Sequence, residues 1–137
     1  MNTLNLDQSK RYKALGGPQG QWPQMVWLYR HTKDGPVVGL EYWGMSKVGL
    51  LKVGTGGGWE LYAAPDVLTV LDWLEQEKGW HYDTERYQSG TLMGKIWLAY
   101  PVEGHGLRVA SPIRRSTPSA LIDAVFARLR KQREEAG

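Results

Sequence analysis

Cysteine is absent from the 137-residue sequence. Its absence excludes a disulfide framework, thiolate catalysis and every cysteine-ligated metal or iron–sulfur site. No stretch approaches the roughly 18 uninterrupted apolar residues of a membrane-spanning helix, and no apolar stretch follows the charges of the amino terminus. We therefore expect a soluble, cytoplasmic protein with no membrane partner, about one domain long.

Phenylalanine is scarce: Phe126 stands alone against seven Trp and seven Tyr. Trp and Tyr combine an apolar body with a polar handle, and they are favoured at half-hydrated surfaces such as interfaces and base-stacking platforms. They also fill the thin cores of small β-rich domains. The surplus leaves both uses open.

The net charge of +3 is unevenly distributed along the chain. Residues 1–58 hold seven Lys or Arg and three Asp or Glu, residues 59–103 hold three and eight, and residues 104–137 hold seven and three. A nucleic-acid-binding protein seldom carries an acidic middle third unless that part faces away from the phosphates. Overall basicity therefore identifies no partner by itself.

Four glycines, Gly54, Gly56, Gly57 and Gly58, resemble a phosphate-binding loop in composition. Such a loop leads directly into a helix, usually with a Lys-Ser or Lys-Thr pair at its start. Here the glycines lead into a predicted strand, and the helix begins only near Pro65. The pattern predicts a flexible hairpin connection instead of a nucleotide site.

The first half of the chain is predicted to be β-rich. Residues 1–24 form an N-terminal arm and a Pro/Gly loop, in which 3–6 is a candidate edge strand and 7–15 a turn of helix or a basic arm. Residues 25–64 form a β-meander, because β-branched and aromatic runs alternate with turn signals. The predicted strands of the meander are 25–31, 36–43, 46–53 and 59–64.

The second half predicts an α-β-β-β-α sandwich unit over 65–135, which forms one compact domain with 25–64. Its first helix, 65–79, starts at Pro65 and ends at the left-handed cap Gly79. Its last helix, 116–135, has Thr117 as its cap. The intervening strands are predicted at 80–87, 92–100 and 107–110, with turns at 88–91 and 101–106. The fold class is therefore α+β, with an antiparallel sheet.

Helical spacing of apolar residues predicts the core faces of these two helices. For the first helix the face comprises Val67, Leu68, Val70, Leu71 and Leu74. For the last helix it comprises Leu121, Ile122, Val125, Phe126 and Leu129.

His81, Asp83 and Glu85 are the strongest candidates for catalysis or metal binding. They alternate along a predicted strand, so they share one face. An imidazole and two carboxylates can ligate a divalent cation or act as a base and its partner. A metal would need donors from a second strand, and segment 92–100 contains no acid or histidine. The alternative is a solvated strand face, and we expect no enzymatic activity, metal or cofactor.

Two basic segments are candidates for contact with a partner. "KRYK" (10–13) interleaves a tyrosine with three cations, and "SPIRRST" (111–117) places two arginines ahead of the last helix, whose start can accept a phosphate. In the alternative interpretation, the arginine pair solvates a loop or pairs with the acidic middle third. The candidate contact residues are Lys10, Arg11, Tyr12, Lys13, Arg114, Arg115, Arg128 and Lys131.

The segment "VLDWLEQEKGWHYDTERY…GTLMGKIWLAY…GHGLRVASP…STPSALIDAVFARLRK" resembles the small phage and prophage proteins grouped as the phage ABA-sandwich domain. The shared features are a Trp-Leu-Glu-like helix that ends at Gly-Trp, an antiparallel sheet and a final Thr-x-x-Ala-Leu helix. The resemblance covers 65–135. It implies a mobile-element origin and an accessory role, with no catalytic residues.

Three functions follow as hypotheses. The first is a non-enzymatic phage or prophage protein that binds a host or phage protein complex, for example as an anti-CRISPR-like inhibitor of host defence. The second is direct binding of nucleic acid through the basic N-terminal and C-terminal segments. The third is a virion or assembly component. The sequence leaves the oligomeric state open.

Overall fold

The computed structural model describes residues 3–19, 24–43, 58–103, 107–108 and 111–136. These residues form helices and antiparallel sheets, which confirms the α+β class. In chain order the elements are α1 (Leu6–Ala14), β1 (Gln24–Thr32), β2 (Gly35–Trp43), β3 (Glu60–Ala64), α2 (Val67–Lys78), β4 (Trp80–Ser89), β5 (Leu92–Glu103), β6 (Leu107–Arg108), β7 (Ile113–Arg115) and α3 (Pro118–Ala136).

The chain forms two compact units, which divide between Asp66 and Val67. The sequence placed a boundary two residues earlier, between 64 and 65, but treated the meander and the sandwich unit as one compact domain. The first unit contains α1 and β1–β3, and the second contains α2, β4–β7 and α3. Whether the two form one domain stays a prediction.

Helix α1 occupies most of the segment predicted as a turn of helix or a basic arm. A reciprocal capping box starts it: the Gln8 amide donates to Asn5 Oδ1 at 2.8 Å, and the Asn5 amide donates to Gln8 Oε1 at 3.0 Å. Because these bonds satisfy two otherwise unpaired backbone donors, they fix the helix start. Tyr12 is buried, so an extended arm is excluded for residues 6–14.

The first unit contains a three-stranded antiparallel sheet in the order β2-β1-β3. The β1–β2 hairpin closes through Lys33 and Asp34, and Gly35 adopts the left-handed φ of 109°. The strands predicted over 25–31, 36–43 and 59–64 are confirmed. The strand predicted at 46–53 and the glycines at 54–57 lie outside the described residues.

The segment before α1 runs beside the end of β3. The Leu4 amide donates to the Pro65 carbonyl at 3.1 Å, and Thr3 forms an isolated antiparallel bridge with Asp66. A single bridge thus replaces the strand predicted at 3–6. Because Pro65 and Asp66 take part in this pairing, α2 begins at Val67 and not at Pro65 as the sequence predicted.

The sheet of the second unit is built on the β4–β5 hairpin. The hairpin closes through Gly90 and Thr91, and Ser89 pairs with Leu92. Residues 101–103 belong to β5, although the sequence predicted a turn from 101. Short β6 and β7 both pair antiparallel with β5, and β7 was not predicted. Residues 104–106 and 109–110 are not among the described residues.

The second unit has a core made by its two helices and by parts of β4 and β5. Gly79, with a φ of 70°, ends α2 as predicted. Leu68 is 50% exposed despite its predicted place in the core, whereas Trp73 is buried. The Thr117 hydroxyl accepts from the Ala120 amide at 3.1 Å, which confirms the cap of α3. The buried helical residues are Val67, Val70, Leu71, Trp73, Leu74, Leu121, Ile122, Val125 and Phe126.

Candidate nucleic-acid interface

One face of the second sheet collects positive side chains around a tryptophan. Residues directly opposite each other in antiparallel strands point to the same side. Thr84 lies opposite Trp97, which in turn lies opposite Arg115 on the other edge of β5, and Arg86 lies opposite Lys95 in the next row. We call the side shared by Thr84, Arg86, Lys95, Trp97 and Arg115 the basic face.

The next row of the sheet, which contacts α2, is partly covered. It contains Tyr82, Ala99 and Ile113, and Ala99 is buried. The Tyr82 hydroxyl donates to Asp72 Oδ1 of α2 at 2.6 Å. This hydrogen bond and, secondarily, burial raise the pKa of Tyr82 to about 12. Trp97 thus lies where the covered part of the sheet gives way to an exposed part.

The strands that form the basic face carry no negative charge on that side, although Asp72 of α2 reaches the same side at Tyr82. Arg86, Lys95 and Arg115 are exposed, and no carboxylate lies on this side among residues 80–101 and 113–115. None of the ion pairs found in the described part of the chain involves these three cations. The Lys95 ammonium lies 5.0 Å from the centroid of the Trp97 ring, a cation–π distance. The result is a patch of three cations beside an aromatic ring.

The opposite side of the same sheet carries the residues considered for catalysis. His81, Asp83 and Glu85 share that side as predicted, but each has a different contact. His81 Nδ1 lies within hydrogen-bond distance of Glu75 Oε2 of α2, at 2.5 Å. Asp83 Oδ1 accepts from the Thr84 amide at 2.7 Å.

Glu85 forms an ion pair with Arg114, with 2.5 Å between Oε2 and NH1. Across the described ranges, no group of three or more His, Asp or Glu is placed to hold a metal ion.

Arg114 and Arg115 are separated by the strand that they share. The sequence placed them in a loop, but they lie on β7, so they point to opposite sides of the sheet. Arg114 is bound to Glu85, as the alternative of pairing with the acidic middle third predicted. Arg115 joins the basic face, where its NH1 donates to the Arg114 carbonyl at 2.6 Å. The two arginines therefore have different roles.

The N-terminal candidates make contacts within the first unit. The Lys10 ammonium lies 4.3 Å from the centroid of the Tyr29 ring. Arg11 pairs with Asp7 at 3.1 Å. The ring of buried Tyr12 packs so closely on Gly17 that a Cβ there would lie 2.5 Å from it.

Lys13 binds the first sheet at two points. Its Nζ donates to the Leu61 carbonyl at 3.1 Å and lies 5.1 Å from the centroid of the Tyr62 ring. Together with Lys10 it ties α1 to the sheet. "KRYK" is therefore engaged within the fold, although Lys10, Arg11 and Lys13 keep part of their surface in solvent.

The candidates on α3 are exposed and lie apart from the basic face in the sequence. Arg128 and Lys131 are both exposed on this helix, and neighbouring Arg130 pairs with Glu134 at 3.2 Å. No described contact connects Arg128 or Lys131 with Arg115.

Within the described residues, no helix is long and apolar enough to cross a membrane.

Four residues of the basic face were not among the contact residues predicted from the sequence: Thr84, Arg86, Lys95 and Trp97. A signal was present, since alternation along 92–100 already placed Lys95 and Trp97 on one side. The pairing of that side with the Arg86 side of β4 depends on the number of residues in the turn, because a one-residue change of register reverses the sides.

Comparison with family models, curated proteins and solved structures found no match to this chain. The resemblance to the phage ABA-sandwich domain therefore stays a prediction. The fold and the basic face define an α+β protein with an exposed, positively charged aromatic surface.

Proposed function

We propose that this protein is a non-enzymatic nucleic-acid-binding protein and that the basic face is its contact surface. The observation that carries the proposal is the grouping of Arg86, Lys95 and Arg115 on one side of the sheet, with no carboxylate on that side among the described residues of β4, β5 and β7 up to residue 101. Phosphates supply the negative charge that this surface lacks.

The cost of the arrangement supports a binding role. Like charges directly opposite each other on two strands destabilise a sheet. Arg86 and Lys95 form such a pair. On the other side of the same sheet, Arg114 and Glu85 form an opposite-charge pair. The difference between the two sides favours an external anion as the partner of the basic face.

The acidic middle third fits this proposal. Asp83 and Glu85 lie on the side of β4 that faces away from the basic face. The segment with the most negative charge therefore directs two of its carboxylates away from the proposed phosphate contacts. Arg86, Lys95 and Trp97 belong to the same segment, so within β4 and β5 up to residue 101 its charges of opposite sign lie on opposite sides of the sheet.

Neighbouring arginines provide a matched test. Arg115→Gln removes a cation from the basic face, whereas Arg114→Gln removes one from the opposite side. At low salt, where backbone-driven affinity is strongest, fluorescence anisotropy with labelled DNA and RNA should show weaker binding for Arg115→Gln and little change for Arg114→Gln. Absence of binding by the unmodified protein, or equal losses in the two variants, contradicts the proposal.

A protein partner is the second candidate, supported by apolar side chains at the end of the β4–β5 hairpin. Leu92 is 72% exposed, Met93 is 74% exposed and Tyr87 is 48% exposed. Tyr87 and Leu92 share one side of the hairpin, whereas Met93 lies on the other, and contiguous exposed apolar surface is typical of protein interaction sites. Pull-down from host lysate with the unmodified protein and with Leu92→Ser/Met93→Ser tests this candidate. The hairpin variant should lose any specific partner.

The phage or prophage accessory role, including inhibition of host defence, is compatible with either partner. A virion or assembly role would instead require self-association, which sedimentation measures. We retain both as hypotheses that rest on the sequence resemblance.

A further inference from the structure

We infer that the basic face binds single-stranded nucleic acid, with one base stacked on the Trp97 ring. This inference rests on the proposed function and specifies its ligand.

The position of Trp97 suits stacking. The residue is central in its row, between Thr84 on β4 and Arg115 on β7, and it is only partly buried. A partly exposed ring on a sheet, with cations around it, matches the way sheet platforms hold unpaired bases. Arg86 and Lys95 form the next row, and their Cα atoms lie two residues, or about 7 Å, further along the strands.

Lys95 covers the ring in the free protein, and a base can replace it. A cation–π contact at an exposed site is worth about two- to fivefold in an equilibrium constant. Base–aromatic stacking is worth about 5- to 150-fold. The exchange therefore favours the base, and the displaced Lys95 ammonium remains beside the ring, where it can bind the phosphate of the stacked nucleotide.

A duplex cannot use the ring in this way. Its bases are stacked on one another, so their faces are not available for stacking on the Trp97 ring. Duplex binding would then depend on the three cations alone. Single strands, which also offer an unpaired base, should bind more tightly.

The test uses the full chain and three labelled probes: oligothymidylate, oligouridylate and a hairpin duplex with the same number of phosphates. Both single strands should bind more tightly than the duplex. Three phosphate contacts give a slope of log K against log salt of about −2 for the single strands. Tighter binding of both single strands supports the inference, whichever of oligothymidylate and oligouridylate binds more tightly. Equal or tighter binding of the duplex overturns it.

Substitution of Trp97 separates stacking from charge. Trp97→Leu keeps an apolar side chain but removes the π-face, so affinity for single strands should fall by about 5- to 150-fold. The salt slope should not change, because no cation is lost. Trp97→Phe should retain most of the affinity. If Leu and Phe bind equally, the inference fails.

Fluorescence gives a second test that does not depend on the folding of Trp97→Leu. Oligothymidylate should quench the tryptophan emission of the unmodified protein more than that of Trp97→Phe. Equal quenching in the two proteins overturns stacking at Trp97. If stacking fails but Arg115→Gln still weakens binding, the proposed function stands; if no probe binds, both proposals fall.

Discussion

Arg86 of β4 stands directly opposite Lys95 of β5, so two positive side chains face each other on the same side of the sheet. Both are exposed, and neither pairs with a carboxylate among the described residues. The pair should lower stability while it raises affinity for a polyanion. A substitution that relieves the repulsion should therefore separate the two properties.

The first prediction concerns this pair. Arg86→Glu places opposite charges across the strands and should raise the free energy of unfolding by about 0.2–1 kcal/mol. It should also weaken nucleic-acid binding. Arg86→Gln, which only removes the repulsion, should give a smaller gain. Urea unfolding measures stability, and loss of stability in both variants would contradict the electrostatic argument.

The second prediction compares two helical leucines. Leu121 is fully buried, and its replacement by Ala should cost about 2–5 kcal/mol because a cavity remains. Leu68 is 50% exposed, so Leu68→Ala should change stability by no more than about 0.5 kcal/mol. Thermal and urea unfolding of the two variants check this. Similar costs would place Leu68 in the core, as the sequence predicted.

The third prediction concerns alkaline pH. The pKa of Tyr82 rises from its ordinary value of 10.0 to about 12 in the folded protein. Since the unfolded tyrosine ionises first, the contribution of Tyr82 is complete below pH 10.0 and is lost as pH rises towards 12.

Tyr82→Phe is the control for that titration. It should lose about 0.5–1.5 kcal/mol at neutral pH with its hydrogen bond to Asp72. It should also lose less stability than the unmodified protein between pH 10.0 and 12. Urea unfolding across this range, with tyrosinate absorbance, measures both effects. An unchanged pH dependence in the variant would argue against the Tyr82–Asp72 bond.

The fourth prediction concerns the start of α1. Asn5→Ala removes one half of the capping box and should destabilise the protein by about 0.5–2 kcal/mol. Ser9→Ala should be neutral or stabilising, because the buried Ser9 hydroxyl has no hydrogen-bond partner among the described residues. Unfolding of the two variants by urea tests the contrast. A larger loss for Ser9→Ala would reveal a partner for that hydroxyl.

Much of the second unit could be predicted because its signals are local. The glycine at 79, the cap at Thr117 and the 3.6-residue period of Leu121 to Phe126 fix two helices without tertiary information. The sequence places Leu68 in the core because the helical period defines an apolar stripe on the helix but does not show which edge of that stripe other residues cover. The sequence does not decide between a helix and an arm for α1, because most of its residues are polar and Tyr12 is buried only by tertiary packing.

Less of the interface could be predicted, because it depends on pairing between distant segments. "IRR" is too short to show alternation, so the sequence predicts a loop there and treats Arg114 and Arg115 as one group. Their separation follows from the pairing of Arg115 with Trp97 and of Arg114 with Leu98. Hydrogen bonds to β5, and not the intrinsic preference of three residues, make this segment a strand.

Because the two arginines are adjacent, a shift in the register of β7 on β5 would leave the charge on each side of the second sheet unchanged. If β7 moved by one position along β5, Arg114 would turn towards Trp97 and Arg115 towards the Glu85 side. Each surface would still receive one guanidinium. Homologous chains with altered lengths between β5 and α3 could thus preserve the charge of both surfaces, provided that both arginines remain.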